Sequence, residues 1–112
     1  MNIQIFGKKK CFDTQKAERY FKERRQKYQA VDIVKFGMSK GEFESVKRTV
    51  GLAAMLDKSS PLYLEKNLAK IRGEAIIQEI MLDNPNLIKT PIVRNGKQAT
   101  VGFEPDIWKT WD

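Results

Sequence analysis

The sequence predicts an α/β domain in which a β-α-β unit and a β-β-α unit are joined by a helical insertion. Three observations support this: short apolar runs lie near both ends of the chain, apolar residues recur at helical spacing between them, and Asn95-Gly96 marks a tight turn. The 112 residues fit one domain, which we expect to span 1–112 with the insertion at about 38–84.

The first unit is predicted to be strand, helix, strand. Asn2 to Phe6 alternates as a short strand does, and Gly7 ends it. Asp13 or Thr14 can then cap a helix. The apolar residues at helical spacing after this cap are Ala17, Tyr20, Phe21 and Tyr28. The apolar run Gln29 to Phe36 predicts a second strand, and the helix is long enough to make the two strands parallel.

The insertion is predicted to be helical. Ser39 and Glu42 form a capping-box pattern, and Gly51 ends the helix that they open. Residues 52–82 are predicted to be helices with breaks at 59–61 and at Gly73. Their apolar positions are Leu56, Leu62, Leu64, Leu68, Ile71, Ile76, Ile77, Ile80 and Met81.

The second unit is predicted to be a hairpin and a helix. Asn95-Gly96 is favoured in a two-residue type I′ turn, and Pro91 precedes the first of the two strands. Glu104 to Trp111 is predicted to be a short helix. The residues that it would lay on the sheet are Ile107, Trp108 and Trp111. This order of elements is typical of a thioredoxin-like domain, with a generic α+β domain as the alternative.

Composition restricts the chemistry. The chain has one cysteine and no histidine, which excludes an internal disulfide, the usual zinc sites and catalysis by Ser-His or Cys-His pairs. No stretch approaches the roughly 20 apolar residues of a membrane helix, so we expect a cytoplasmic monomer without a membrane partner.

The net charge of +7 is unevenly distributed, because residues 1–48 hold 13 Lys/Arg against 6 Asp/Glu. A basic half can meet nucleic acid, an acidic protein surface or an anionic small thiol, and it can also be a solvated helix face. No nucleic-acid motif accompanies it, so we expect no specific nucleic-acid binding.

Cys11 is the candidate nucleophile. It follows Lys8, Lys9 and Lys10 and precedes the first helix, where unpaired backbone N–H groups and the positive helix end favour a thiolate. The alternative is a small buried cysteine without chemistry. Thr90-Pro91, after the helical block, is compatible with a cis peptide bond and with an edge that binds an extended thiol; an ordinary trans bond is the alternative.

The segments CFDTQKA at 11–17, PIV at 91–93 and VGF at 101–103 together resemble the ArsC/Spx family. This family comprises arsenate reductases coupled to glutathione or glutaredoxin, Spx transcription regulators and YffB-like proteins. The resemblance covers nearly the whole chain. It implies a thioredoxin-like fold with a helical insertion, Cys11 as the nucleophile and Pro91 as a cis-proline facing it.

The chain departs from both functional branches of the family. Arsenate reductases resemble one another in an arginine before the proline and another in the middle helices, where this chain has Thr90 and Asp57. Arg94 or Lys89 could replace them. Spx-type regulators have a C-x-x-C pair, whose second position here is Thr14.

Three functions remain open. The first is monothiol exchange through Cys11 with glutathione, another low-molecular-weight thiol or a redox protein, without a bound cofactor. The residues expected to bind that thiol or an anion are Lys8, Lys10, Thr14, Thr90, Pro91 and Arg94. The second is an Spx-like regulator that binds the C-terminal domain of the RNA polymerase α subunit through a surface including Gly51, although any helix C-cap also favours glycine. The third is a family member without catalysis, and arsenate reduction is a further alternative.

Overall fold

The structure is a computed structural model that describes residues 1–111. Its strands are β1 Ile3–Gly7, β2 Tyr28–Asp32, β3 Ile92–Asn95 and β4 Gln98–Val101. Its helices are α1 Phe12–Glu23, α2 Ile33–Phe36, α3 Lys40–Val50, α4 Leu52–Met55, α5 Pro61–Glu65, α6 Glu74–Asp83 and α7 Pro105–Trp108, with 3-10 turns at Leu68–Lys70 and Pro85–Leu87. Within 1–111, no helix combines the length and apolar character needed to cross a bilayer.

The four strands form one sheet in the order β2-β1-β3-β4. β1 runs parallel to β2 and antiparallel to β3, and β3 runs antiparallel to β4. The predicted α/β, thioredoxin-like class with its β-α-β and β-β-α units is confirmed. Phe6 pairs with Ile92, so the loop after β1 and the segment before β3 meet at one edge of the sheet.

Two apolar clusters lie on opposite faces of the sheet, because side chains alternate along each strand. Phe6 and Ile92 face the insertion, where their cluster includes Phe43 and Met55. Ile3, Ile5 and Val93 face the other side. The residues outside the sheet in this second cluster are Ala17, Tyr20, Phe21, Trp108 and Trp111. The helical stripe predicted for α1 is therefore buried, except that Tyr28 begins β2 instead of extending the helix.

Two predicted boundaries were wrong. The second strand ends at Asp32 rather than Phe36, because the Asp32 carboxylate accepts the Val34 and Lys35 N–H groups and caps α2. The cap of α1 is Cys11 rather than Asp13 or Thr14. Cys11 has an extended backbone, and its carbonyl accepts the first helical N–H.

The insertion confirms the capping box of Ser39 and Glu42 and the glycine stop at Gly51. Residues 52–82 form several short helices, and their predicted apolar positions are not all buried. Leu64 and Ile76 are exposed. Helical spacing identifies an apolar stripe, but which of its residues are buried depends on the elements that pack against it.

The predicted hairpin is confirmed, but its two-residue turn lies one residue later than predicted. Asn95 pairs with Gln98, so the loop is Gly96-Lys97, and only Gly96 has a positive φ, of 62°. That pattern is typical of a type II′ turn rather than I′. In α7 the indole N–H of Trp108 donates to Thr100 at 2.8 Å, whereas the predicted sheet contact of Ile107 was wrong because this side chain is 44% exposed.

Candidate functional site

Cys11 lies at the junction of β1 and α1. Its N–H donates to the Lys8 carbonyl at 3.1 Å, which closes the lysine loop into a turn. Its carbonyl accepts the Gln15 N–H at 3.2 Å as the first bond of the helix. The side chain is half-buried. The predicted nucleophile therefore lies at a helix start in a half-buried position.

The groups around the sulfur lower the pKa of the Cys11 thiol. Burial by itself raises the pKa of the Cys11 thiol, but hydrogen bonds from the Thr14 and Thr90 side chains and from the backbone N–H groups of Thr14 and Asp13 outweigh it, leaving the pKa below its ordinary value. The two N–H groups lie in the first turn of α1, where backbone donors lack helical partners and the helix dipole favours a negative charge. These donors favour a thiolate, whereas the Thr90 carbonyl accepts a hydrogen bond only from the protonated thiol.

Thr14 is held in place by the absence of a side chain at Gly7. Thr14 is buried, and its hydroxyl accepts the Lys8 N–H at 3.4 Å. A Cβ on Gly7 would lie 2.2 Å from Cγ2 and 2.8 Å from Oγ1 of Thr14, which is closer than real Cβ atoms approach other atoms. Gly7 is therefore needed for the position of a residue that bonds the sulfur. The sequence showed Gly7 only as a strand end, and no local pattern indicated this contact.

The Thr90–Pro91 segment faces Cys11 from the start of β3. Its peptide bond is cis. The Cys11 thiol donates to the Thr90 carbonyl, with 3.6 Å between Sγ and O. The Lys89 N–H donates to the last carbonyl of α4 at 2.7 Å, and the Gly102 N–H donates to the Pro91 carbonyl at 2.8 Å. The segment is tied to the insertion on one side and to the end of β4 on the other.

The three lysines of the loop differ in their surroundings. The Lys8 ammonium donates to the Asn86 carbonyl at 3.2 Å, and its side chain is half-buried. Lys9 and Lys10 are exposed. These two are the solvent-facing cations nearest to Cys11 in the sequence.

Arg94, predicted to bind a thiol or an anion, is engaged elsewhere. Its guanidinium donates to the Gln4 side chain at 2.7 Å and to the Ser45 hydroxyl at 3.5 Å, and it lies 4.0 Å from the Glu42 carboxylate. Arg94 pairs with Gln4 across β3 and β1 and faces α3. The structure thus places this cation among partners in the sheet and the insertion rather than beside Cys11.

Asp57 lines a cleft of about 490 Å³ that also contains Lys8 and Asn86. Its carboxylate accepts the Ser59 N–H at 3.0 Å and the Ser59 hydroxyl at 2.6 Å. Glu65 lines the same cleft. Two carboxylates oppose an oxyanion there, since like charges repel.

Gly51, the predicted partner-binding residue, lies in the insertion between α3 and α4. It is exposed, with a φ of 85°, and an added Cβ would meet open space. The positive φ explains the glycine as a helix end. The open space leaves its surface reachable for another molecule.

Two aromatic residues near Cys11 were missed by the sequence reasoning. Phe12 follows the cysteine directly and is 76% exposed. Phe103 lies just beyond the Gly102 that bonds Pro91, and it is 38% exposed. Phe12 lies in the segment CFDTQKA and Phe103 in VGF, but the residue type does not indicate whether an aromatic side chain is exposed.

The sequence profile of the ArsC family matches residues 6–111 of the chain. The global transcriptional regulator Spx 2 of Oceanobacillus iheyensis is 26% identical over 110 residues, which cover 95% of this chain and 80% of that relative. Two solved structures share the fold. An ArsC-family-related protein from Bacteroides fragilis has a TM-score of 0.87 at 23% identity, with 100% of this chain and 98% of that one covered. An arsenate reductase from Vibrio cholerae has a TM-score of 0.86 at 23% identity, with 96% and 94% covered.

The profile covers nearly the whole chain, and the two structures superpose on it over nearly their full length. Membership rests on the profile, while the likeness to the two structures concerns the fold alone. The protein belongs to the ArsC family.

Proposed function

We propose that this protein performs monothiol thiol–disulfide exchange through Cys11. The observation that carries the proposal is the place of one half-buried sulfur, at the N-cap of α1 and facing the cis Thr90–Pro91 bond, where hydrogen bonds from the Thr14 and Thr90 side chains and from the backbone N–H groups of Thr14 and Asp13 lower its pKa. A thiolate is the reactive form of cysteine, and these donors favour it.

The exchange needs two steps. The Cys11 thiolate attacks one sulfur of a substrate disulfide, a new S–S bond forms, and the other sulfur departs as a thiolate with the electron pair. With a single cysteine in the chain, an external thiol such as glutathione then attacks the mixed disulfide and releases Cys11. This second step suits a reducing compartment, in agreement with the expected cytoplasmic location.

The external thiol would be bound by groups around the sulfur. Lys10 is exposed and offers a cation to a carboxylate, and Lys8 can do so at the cost of its bond to Asn86. The Thr90–Pro91 segment offers backbone groups at the sheet edge that faces Cys11. Arg94 is left out because its guanidinium already has partners on β1 and in α3.

The test is the exchange rate with a small disulfide and glutathione. We expect Cys11→Ser to reduce the rate to the uncatalysed background, while the folded content, followed by circular dichroism, stays the same. Arg94→Met is the matched variant and should keep the wild-type rate. A wild-type rate no higher than the background would contradict the proposal.

A second candidate is a regulator that binds the RNA polymerase α subunit. It is supported by the name of the Oceanobacillus relative, a global transcriptional regulator, and by the exposure of Gly51. In this case the chain acts through a surface, and the thiol is not needed for binding.

A pull-down with the C-terminal domain of that polymerase subunit tests this candidate. Cys11→Ser should keep the complex and Gly51→Arg should lose it. Gly51→Ala introduces the same backbone strain as Gly51→Arg without the bulk of the side chain. Gly41→Arg adds the arginine side chain at an exposed position elsewhere, within α3. Loss of the complex in either control would count against a role for the Gly51 surface.

A further inference from the structure

A strip of exposed side chains borders the thiol. Phe12 is the first residue of α1, and 76% of its surface is exposed although it is next to Cys11. Lys16 lies one helical turn further on the same face of α1. Its ammonium is 5.9 Å from the centre of the Phe103 ring, which is itself partly exposed. We call this surface, formed by Phe12, Lys16 and Phe103, the α1 strip.

The α1 strip is continuous with the site. Phe103 follows Gly102, whose N–H donates to the carbonyl of Pro91. The Thr90 carbonyl on the other side of that proline accepts the Cys11 thiol. A molecule whose sulfur reaches Cys11 therefore has the strip directly beside it. Two exposed rings at this place indicate a partner with an apolar group near its sulfur.

The charges around the strip are mainly positive. Lys16 lies within it, and the exposed Lys9 and Lys10 lie in the loop before the thiol. The acidic residues near it in the sequence are Asp13 in α1 and Glu104 and Asp106 after Phe103, and Asp106 is paired with Lys109 at 3.1 Å. The excess of cations complements a partner with acidic residues.

We infer that the substrate of Cys11 is a cysteine in an acidic protein segment that carries an apolar side chain beside the sulfur. This inference rests on the proposed exchange function. It narrows the class of substrate to a protein segment, because glutathione is acidic but has no apolar side chain to cover Phe12.

The chemistry is the first exchange step. The Cys11 thiolate attacks the sulfur of the segment's cysteine, which is joined by a disulfide to a second thiol. The original S–S bond breaks, the S–S bond from Cys11 to the segment forms, and the second thiol departs as a thiolate with the electron pair. No net oxidant or reductant is consumed.

Mixed disulfides of thionitrobenzoate make this step visible, because the released thiolate absorbs light. The probes are a short peptide with one cysteine between phenylalanine and glutamates, the same peptide with lysines for the glutamates, glutathione, and mercaptoethanol. The ratio of each rate to the mercaptoethanol rate cancels the reactivity of the Cys11 thiol, and the intrinsic reactivity of each probe cancels when a variant is compared with the wild type on the same probes, so a change in the ratio reports recognition.

We expect the wild-type ratio to be at least about fivefold higher for the acidic peptide than for either the lysine peptide or glutathione. Phe12→Ser and Lys16→Glu should each remove most of that preference. Leu64→Ser removes an equally exposed apolar side chain from the insertion, and Lys70→Glu makes the same charge change there. Both controls should keep the preference.

Equal ratios for the two peptides, a glutathione ratio as high as the acidic peptide's, or the same loss in the controls would overturn the inference. Exchange with mercaptoethanol disulfide in these cases would leave the proposed function standing. Failure of the wild type to attack any of the four probes would overturn both.

Discussion

The sheet edge that carries Cys11 and the insertion that lies against it present opposite environments to an anion. At the edge, hydrogen bonds from hydroxyl and backbone groups lower the pKa of the Cys11 thiol. In the insertion, Asp57 and Glu65 line the cleft beside Lys8, and Arg94 is bound to groups of β1 and α3. The structure therefore assembles the hydrogen-bond donors that stabilise a thiolate. It offers few cations to an oxyanion, because Thr90 and Asp57 carry no positive charge and the Arg94 guanidinium already has partners.

Arsenate is the anion that tests this difference most severely. We expect wild-type protein with glutathione to reduce arsenate no faster than Cys11→Ser does, while it exchanges small disulfides. The loss of a bidentate arginine pair costs on the order of 100-fold or more. The measurement is arsenite formation against disulfide exchange in the same preparation. Arsenate turnover comparable with disulfide turnover would show that another cation serves the site.

Gly7→Ala should disturb the surroundings of the Cys11 thiol through Thr14. Its Cβ would displace Thr14, because the two side chains would lie 2.2 Å apart. We expect alkylation of Cys11 near pH 7 to slow by about three- to tenfold and stability to fall by about 1–3 kcal/mol. Iodoacetamide kinetics and urea unfolding measure the two effects.

Gly41→Ala is the matched control, since an added Cβ there meets nothing within 4 Å. It should leave the alkylation rate unchanged and stabilise α3 slightly. An unchanged alkylation rate in Gly7→Ala would contradict the role given to Thr14.

Arg94→Met should lower the stability of the fold and leave the reactivity of the Cys11 thiol unchanged. The variant loses the hydrogen bonds to Gln4 and Ser45 in a half-buried position, so we expect a loss of about 1–2 kcal/mol in the free energy of unfolding. The rate of disulfide exchange should stay within about twofold of wild type. A large loss of exchange with intact folding would bring Arg94 back into the site.

The smallest effect is the pH dependence of stability. The folded state lowers the pKa of Cys11, so ionisation of the thiol favours folding. This contribution is complete above the unfolded pKa of about 8.5 and is lost as the pH falls through the lower folded value. The unfolding free energy of wild type minus that of Cys11→Ser should therefore rise between neutral pH and about pH 9. A flat or falling difference would contradict a lowered pKa.

The sequence could predict the fold and the place of Cys11 before the first helix because both depend on local patterns. Alternation gave β1, the capping box gave α3, and Cys11 before a helix indicated a favoured thiolate. The cleft and the close contact of Gly7 with Thr14 depend on how distant segments pack, which spacing does not encode. The end of β2 was missed because the Asp32 carboxylate caps α2 within an apolar run that is equally typical of a strand.

Arg94 shows the same limit on the side of function. Its type suits an anion site, and its position on the hairpin was known, but the direction of its side chain depends on the register of β3 against β1. That register places it beside Gln4 and under α3. Only the folded chain distinguishes this arrangement from one in which the guanidinium reaches the thiol.

The central claim is that the fold activates Cys11, and the pH dependence of its alkylation rate tests this most directly. The account predicts an apparent pKa below the ordinary cysteine value of about 8.5 in the wild type, and a higher pKa in Thr14→Val, which keeps the shape of Thr14 without its hydroxyl. A wild-type pKa at or above the ordinary value would contradict the account and favour a family member that acts through its surface alone.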